Sequence, residues 1–329
     1  MNNFFPRTLI AAALALPALA FSQAVPILFD GDGAGGAAAI SVDLLDWAPG
    51  NALSVGGNPA AGLAVGQVQT LLYQANLSIT SSGGGAPNYT NCAVLCFKAV
   101  AGFQEIVTGL NVVGPNTAVT FGLASTPALT ATNFFYIYAG NAATFGNNLT
   151  GGNFTAGTLV MSGFVTALVS GNYIQTGDNI RHDPTDPLVG TPNRFDNFNA
   201  DNYIGTSTIV GGGATDINVT INFADANIFP GFNLGNLFFS FFNNSQVTPF
   251  NQVDPSAAFS LNGTTSANQL ANIGSVNGLR DRVNRNFQLQ ADANQSFRIV
   301  QVPEPASLAL VGLALGALGF VGRRSAKKS

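Results

Sequence analysis

The sole histidine, His182, is the first residue to test for catalytic chemistry. With Asp183 or Asp186 beside it, it could serve a serine nucleophile as the base of a triad. No G-x-S-x-G segment supplies that serine. We therefore predict that His182 is an exposed loop histidine and that the chain has no catalytic residues and is not an enzyme.

A second possible chemistry comes from carboxylates near the only tryptophan. Asp43 and Asp46 precede Trp47, and glycosidases use paired carboxylates. The chain has only two glutamates, Glu105 and Glu304. We interpret residues 43–47 as a turn with a buried tryptophan. A secreted hydrolase remains the least favoured hypothesis.

Calcium is the third chemistry that the residues suggest. Asp30 and Asp32 lie in Phe29-Asp-Gly-Asp-Gly33, where hard oxygen ligands alternate with glycine. The EF-hand spacing is incomplete, because Ala34 falls at its fifth position. A plain Asp-Gly turn is the favoured interpretation, with a structural calcium site at Asp30 and Asp32 as the alternative. A second oxygen-rich candidate runs from Asp178 to Asp186, and no other cofactor is predicted.

The chain has two cysteines, Cys92 and Cys96. In an exported chain, which meets an oxidising compartment, a disulfide between them is the default prediction. Two free thiols or a redox pair are the alternatives, although the C-x-x-C spacing of redox motifs is absent. One histidine and two cysteines cannot make the usual tetrahedral zinc site.

The elements that must position these residues follow a period of two. Residues 216–223 alternate strictly, which predicts a strand with one buried face. Residues 73–80 and 133–139 alternate in the same way, and 237–242 is an apolar run suited to a buried strand. Clusters of Gly, Asn and Pro, such as 146–152 and 211–213, predict turns.

Many strands separated by turns predict an all-β body, an antiparallel β-sandwich or jelly-roll-like fold. Short helices at 34–45 and 266–278 are the only helical candidates before the C-terminal tail. Residues 177–202 contain three prolines and many charges, and we expect a long loop there, or a linker between two halves of the β structure.

Charge is scarce, at 9% of residues against about 25% in ordinary proteins. Between residues 25 and 302 there are 15 acidic and seven basic side chains. A phosphate backbone requires clustered Lys and Arg, so the composition argues against nucleic acid as a partner.

The first 24 residues have the pattern of a secretory signal peptide. Arg7 gives the positive n-region, and residues 9–20 form the apolar h-region. Small residues place the cleavage site after Ala24, or alternatively after Ala20. The body is then 25–301.

The last 28 residues, 302–329, combine three elements in a fixed order. Val302-Pro303-Glu304-Pro305 comes first, and the prolines interrupt regular structure. Residues 306–322 follow without a charge, and we predict a hydrophobic helix of roughly 25 Å there, just short of a typical hydrocarbon core. Arg323 and Arg324 begin a basic end, which is expected on the cytoplasmic side.

This tail resembles the PEP-CTERM sorting signal of Gram-negative bacteria, on Val302-Pro303-Glu304-Pro305, the Leu/Ala/Gly-rich run and Arg323-Arg324. The resemblance implies a transient inner-membrane anchor, processed near Glu304 by an exosortase-type membrane protease. It further implies delivery to the cell surface or an extracellular matrix. A permanent C-terminal membrane anchor is the alternative.

The body is more weakly similar to flocculation-associated proteins with such tails, through Phe29–Gly33 and Ala291–Phe297. We therefore expect a non-catalytic surface or matrix protein associated with exopolysaccharide, biofilm or floc. A carbohydrate-binding β-sandwich, with or without calcium, is the alternative function.

Overall fold

The computed structural model describes 23–35, 39–59, 62–81, 89–90, 92, 94–113, 116–176, 194–200, 202–203, 208–232, 238–260, 269–271 and 286–299. Residues Ala24–Arg298 form one compact unit. The side chains of 238–244 and 269–271 are outside the description.

The described regular structure is almost entirely β-strand, which confirms the all-β prediction. A 3-10 turn at Ala142–Thr144 is the exception. The strands are β1 (Gln23–Ala24), β2 (Ile27–Phe29), β3 (Ile40–Val42), β4 (Leu44–Val55), β5 (Val68–Ser81), β6 (Tyr89–Thr90), β7 (Cys96–Val113), β8 (Asn116–Leu123), β9 (Phe134–Gly140), β10 (Thr158–Gln175), β11 (Gly211–Ala224), β12 (Phe238–Thr248), β13 (Ala258–Ser260), β14 (Gln269–Ala271) and β15 (Phe287–Ile299).

Eight of these strands close into a ring. The order is β4–β5–β7–β9–β10–β11–β12–β15, and β15 pairs again with β4. Every pairing with a described register is antiparallel. The 18-residue strands β7 and β10 hold β9 between them at one end and β8 at the other.

The body is therefore a closed antiparallel barrel, and the prediction of a sandwich or jelly roll is wrong. Long strands accumulate right-handed twist, and closure satisfies the backbone groups that two separate sheets would leave at their edges. Strands β10 and β11 pair along most of their length, so the chain on both sides of 177–202 belongs to one sheet.

The barrel interior is a continuous apolar core. Alternate residues of each strand point inward, as the period of two predicts. An eight-stranded barrel has room for side chains alone in most of its interior. The residues of this apolar core that lie on strands include Leu45, Trp47, Ala52, Leu71, Tyr73, Ala75, Leu77, Phe97, Ala99, Ala101, Phe103, Phe135, Ile137, Val165, Ile217, Val219, Ile221, Phe287, Leu289, Ala291 and Ala293.

A second apolar cluster lies on the outside of β4, β5, β7 and β9. Phe134, Tyr136 and Tyr138 share this face of β9, as their alternation predicts. Three largely irregular segments, 141–157, 194–203 without residue 201, and 249–260 with its short strand β13, cover it with Phe154, Phe195, Phe250, Val253 and Phe259. We call these three segments the outer layer.

Three local predictions fail in the described regions. Residues 40–42 and 44–45 are strand rather than helix, because they pair within β-ladders. Gln269–Ala271 is likewise a strand paired with β13. Gly211–Gly213 begins β11 instead of forming a turn. A Cβ at Gly213 would overlap the carbonyl oxygen of Asn172, so glycine allows this close strand approach.

The predicted hydrophobic helix at 306–322 lies outside the described residues. Among the residues that are described, no helix is long and apolar enough to cross a membrane.

Candidate functional site

The Asp30 loop is held by its own backbone. Asp30 Oδ1 accepts hydrogen bonds from the Asp32 and Gly33 amides at 3.2 and 3.0 Å, and Oδ2 accepts one from the Gly35 amide at 2.9 Å. Gly33 and Gly35 adopt φ of 71° and 90°. Although burial opposes the charge, these hydrogen bonds outweigh it, so the pKa of Asp30 lies below its usual value.

This geometry is that of an Asp-Gly turn in which the carboxylate organises amides. Asp32 Oδ1 likewise accepts from the Ala34 amide at 2.8 Å. Over the described part of the chain, no group of three or more His, Cys, Asp or Glu side chains is arranged to hold a metal ion. Calcium at Asp30 and Asp32 stays a prediction that needs backbone oxygens or water as further ligands.

Cys92 and Cys96 form a disulfide, which confirms the predicted pairing. Cys92 has a φ of 60°, and Cys96 is the first residue of β7. The Cys92 amide donates to Tyr89 Oη at 3.1 Å, and Tyr89 Oη donates to the Leu95 carbonyl at 2.7 Å. The disulfide therefore fixes the chain at the start of β7, one of the two longest strands.

Trp47 is part of the barrel core and not an exposed platform for a sugar. Its side chain is fully buried, and Nε1 donates to Gln295 Oε1 on the neighbouring strand at 3.2 Å. The prediction of a buried tryptophan is therefore confirmed. The predicted turn is wrong, because residues 44–47 belong to β4 and pair with both β5 and β15.

The negative charge that acts on Asp46 in the structure is that of Asp292, not that of Asp43. Both ladders of β4 are irregular just after Trp47, where Pro49 cannot donate to a neighbouring strand. Asp292 lies opposite this bulge, between Ala291 and Ala293 of β15. Burial and then the charge of Asp292 raise the pKa of Asp46, and burial raises the pKa of Asp292.

Asp292→Asn is expected to increase the free energy of unfolding by about 0.5 kcal/mol at pH 7, because it removes the negative charge that opposes the ionisation of Asp46 on the neighbouring strand. Both carboxylates carry their charge at neutral pH, so the repulsion is present there. Because their pKa values are raised, they take up protons and the repulsion fades as the pH falls toward 4. Urea denaturation at both pH values measures the effect.

Asp46→Asn is the matched control, since it removes the other member of the same pair. The double variant should gain less than the two single gains added together. Full additivity, or a loss of stability in Asp292→Asn at pH 7, would show that the two carboxylates do not repel.

Amide side chains tie the outer layer to the barrel wall. Gln74 Nε2 donates to Ser256 Oγ and the Ala258 carbonyl at 2.9 and 3.1 Å. Asn76 exchanges two hydrogen bonds with the Gly146 backbone, at 2.9 and 3.0 Å. The alternation had suggested a polar face in water for these residues of β5, but both are buried because loops cover them.

Lys98 also joins the barrel wall to the outer layer, and its side chain is fully buried. Its Nζ donates to the Ala156 and Thr144 carbonyls at 2.6 and 2.9 Å. Burial lowers the pKa of Lys98 to about 8. One signal for this role is visible in the sequence, since Lys98 is the only lysine between residues 25 and 302.

A cavity inside the barrel was not expected from the sequence. It lies at the β8 end and is lined mainly by Leu71, Val119, Phe121, Phe287 and Leu289. The empty space is about 360 Å³ with its open mouth included.

Ser54, Gln69 and Glu105 are buried polar side chains of this cavity that were not predicted from the sequence. Gln69 and Glu105 are directly opposite each other on β5 and β7, and Gln69 Nε2 donates to Glu105 Oε2 at 3.1 Å. Burial raises the pKa of Glu105 to about 7, against a smaller lowering by Gln69. A lone glutamate inside a strand otherwise rich in apolar residues was the available signal.

The remaining predicted site residues fall outside the description. These are His182, the cleavage alternative Ala20, the calcium candidate at 178–186, and the sorting residues Val302, Pro303, Glu304, Pro305, Arg323 and Arg324. Ala24, the preferred cleavage position, is the last residue of β1.

Residues 301–325 match the PEP-CTERM protein-sorting motif. The predicted C-terminal motif is thereby confirmed, and it implies an exported protein with a membrane-associated sorting signal that an exosortase-type system processes. No curated protein and no solved structure is significantly similar to the chain.

Proposed function

We propose that this chain is a non-catalytic component of the cell surface or extracellular matrix, anchored briefly in the inner membrane and then released by an exosortase-type protease. The observation that carries the proposal is the PEP-CTERM motif at residues 301–325. The motif gives the chain an export route, and the barrel is the part of the chain that is exported.

The construction of the barrel suits a structural role outside the cell. Its ring of strands leaves few exposed edges, a disulfide closes the start of β7, and hydrogen-bonded loops cover one outer wall. Low charge and abundant Asn, Thr and Gly suit contact with hydrated polymers such as exopolysaccharide. The carboxylate and tryptophan once considered for hydrolysis, Asp46 and Trp47, lie within a paired strand.

Changing the motif tests this route. In the variant Pro303→Ala, Glu304→Gln, Pro305→Ala, the tail should stay attached and the protein should accumulate in the membrane fraction. The unaltered protein should appear outside the cell without residues 306–321. Intact mass of each fraction identifies which ends have been removed.

Pro127→Ala, at an exposed position of the body, controls for the loss of a proline and should be released normally. Unaltered protein that keeps residues 306–321 in the membrane would contradict the sorting proposal and support a permanent anchor.

Association with the matrix requires a separate measurement. The released protein should co-sediment with native exopolysaccharide from the same cells and return to solution after enzymatic digestion of that polymer. Equal recovery with and without the polymer would restrict the proposal to export alone.

A further inference from the structure

The barrel cavity contains hydrogen-bonding atoms that the protein itself does not satisfy. Glu105 Oε1, Gln69 Oε1 and Ser54 Oγ are buried and have no hydrogen-bond partner in the described structure. The three side chains are 2–4% exposed. Each such group carries a desolvation cost, so a built protein site normally provides it with a partner.

Two of these atoms, Gln69 Oε1 and Ser54 Oγ, converge on one place. A Cβ added to Gly57 would overlap both Gln69 Oε1 and Ser54 Oγ, so both point at the same spot beside that glycine. Glu105 is the cross-strand neighbour of Gln69 and is joined to it through Oε2. Its Oε1 remains for a further contact.

The other polar groups of the cavity are already paired. Tyr173 Oη and Thr248 Oγ1 are 2.7 Å apart, and Gln246 Nε2 donates to Thr215 Oγ1 at 2.8 Å. The unmet hydrogen-bonding capacity is therefore concentrated on Ser54, Gln69 and Glu105, and Glu105 is the only charged residue in the described lining.

We propose that this end of the barrel binds a small primary ammonium compound, whose NH₃⁺ group donates to Glu105, Gln69 and Ser54 and whose short alkyl chain lies against Leu71, Phe121 and Leu289. Barrel mouths of this kind, mostly apolar with a few convergent polar groups, are common ligand sites.

The chemistry of the three atoms selects the ammonium group. An ammonium has three N–H donors and a positive charge, which match two acceptor oxygens and a hydroxyl beside a carboxylate. An anion would be repelled by Glu105, and an alcohol brings one donor only. Calcium needs six to eight oxygen ligands, more than this cluster supplies.

The dimensions select a small ligand. The cavity has room for about one water-sized group away from its mouth, and an ammonium head is of that size. The alkyl chain would pass Leu71, Phe121 and Leu289 toward Pro59 and Leu63, which are half-buried lining residues. A ligand of four non-hydrogen atoms has little surface to bury, so millimolar binding is expected.

Binding of n-propylammonium chloride to the whole chain tests the proposal. Saturation-transfer NMR at pH 8 should show saturable binding, with sodium chloride matching the ionic strength. Propan-1-ol has nearly the same shape without the charge, and it should bind at least tenfold more weakly.

Two variants locate the site. Glu105→Gln should weaken n-propylammonium binding at least tenfold, and Ser54→Ala a few-fold, with near-ultraviolet circular dichroism confirming that each is folded. If Glu105→Gln does not fold, the pH dependence of the unaltered protein replaces it. Affinity should then fall as the pH drops from 8 to 5, because Glu105 becomes protonated.

Tyr173 is the other titratable side chain of the described lining, and burial raises its pKa, so it stays neutral over this range. Equal binding by Glu105→Gln, equal binding of propan-1-ol, or no saturable signal at pH 8 would each overturn the proposal. The last result would leave ordered water as the occupant, and equal binding of propan-1-ol would leave a site without selectivity for charge.

Discussion

Replacing Lys98 by methionine is expected to lower the free energy of unfolding by about 2–4 kcal/mol at pH 7. Methionine keeps most of the apolar stem but removes the ammonium group. The Thr144 and Ala156 carbonyls, which accept from Lys98 Nζ at 2.9 and 2.6 Å, would lose this donor under the outer layer.

The loss of stability should appear first in the segment that Lys98 contacts and only later in the whole barrel. Lys98 joins the wall strand β7 to the 141–157 segment of the outer layer, so amide hydrogen exchange should accelerate in that segment first. Amides in the β10–β11 ladder, on another part of the barrel, should keep their protection until the whole barrel unfolds.

The effect should grow with pH. Burial lowers the folded-state pKa of Lys98 to about 8, whereas an unfolded lysine titrates near 10.5. The unfolded state therefore binds more protons between these values, and the contribution of Lys98 to stability increases as the pH rises through this range. A neutral amine still donates to the two carbonyls.

Urea denaturation of both proteins at pH 7 and 9.5 measures this difference. Lys327→Met, in the tail beyond the barrel, controls for the loss of one lysine. A Lys98→Met protein as stable as the unaltered one would show that apolar packing replaces the buried ammonium without cost, as happens at some buried ion pairs.

Strand positions could be predicted from the sequence because alternation is a local property. Ile217, Val219 and Ile221 were expected on one face of a strand, and they lie in the barrel core. The same alternation predicts Phe223 on that face, but Phe223 is 41% exposed. The ladder with β10 is irregular between Ile221 and Phe223, and Ala224 packs against the core instead.

The closure of the sheet could not be predicted, because it depends on which distant strands pair. The partner of β4 on one side is β15, more than 230 residues away. For the same reason Asp46 was assigned the wrong neighbour: Asp43 is close in sequence, whereas Asp292 is close in the fold.

The polar face of β5 shows a second limit of local patterns. Gln74 and Asn76 alternate with apolar residues as if they faced water, yet the outer layer buries them. A period of two identifies two faces but does not say what covers each. The cavity residues Ser54, Gln69 and Glu105 were missed because they come from different strands and meet only when the barrel closes.

Glu105→Gln is expected to make the protein more stable at pH 8 by about 3 kcal/mol and to leave its stability at pH 4.5 nearly unchanged. Burial raises the folded-state pKa of Glu105 to about 7, against an ordinary value of 4.5. The folded state therefore holds this proton more tightly than the unfolded state does.

The sign of the pH dependence follows from that difference. Below pH 4.5 both states are protonated and the buried carboxyl is neutral. As the pH rises from 4.5 to 7, the unfolded state releases its proton first, and the free energy of unfolding falls. Glutamine stays neutral at every pH and still accepts from Gln69 Nε2, so the variant should not show this fall.

Ser54→Ala is the matched control, because it changes the same cavity without removing a titratable group. Its stability should keep the pH dependence of the unaltered protein between pH 4.5 and 8, measured by urea denaturation at several pH values. A Glu105→Gln protein with an unchanged pH profile would show that Glu105 ionises normally, through water that reaches it from the cavity mouth.

The same measurement connects Glu105 to the proposed ligand. An ammonium compound that pairs with the charged carboxylate stabilises the folded state by RT ln(1 + [L]/Kd), where [L] is its free concentration. Saturating n-propylammonium should therefore recover part of the stability that the unaltered protein loses at pH 8, and it should do little for Glu105→Gln. The substitution removes the buried charge and the ligand neutralises it, so each relieves the same electrostatic cost. Stabilisation of both proteins alike would separate the ligand from Glu105.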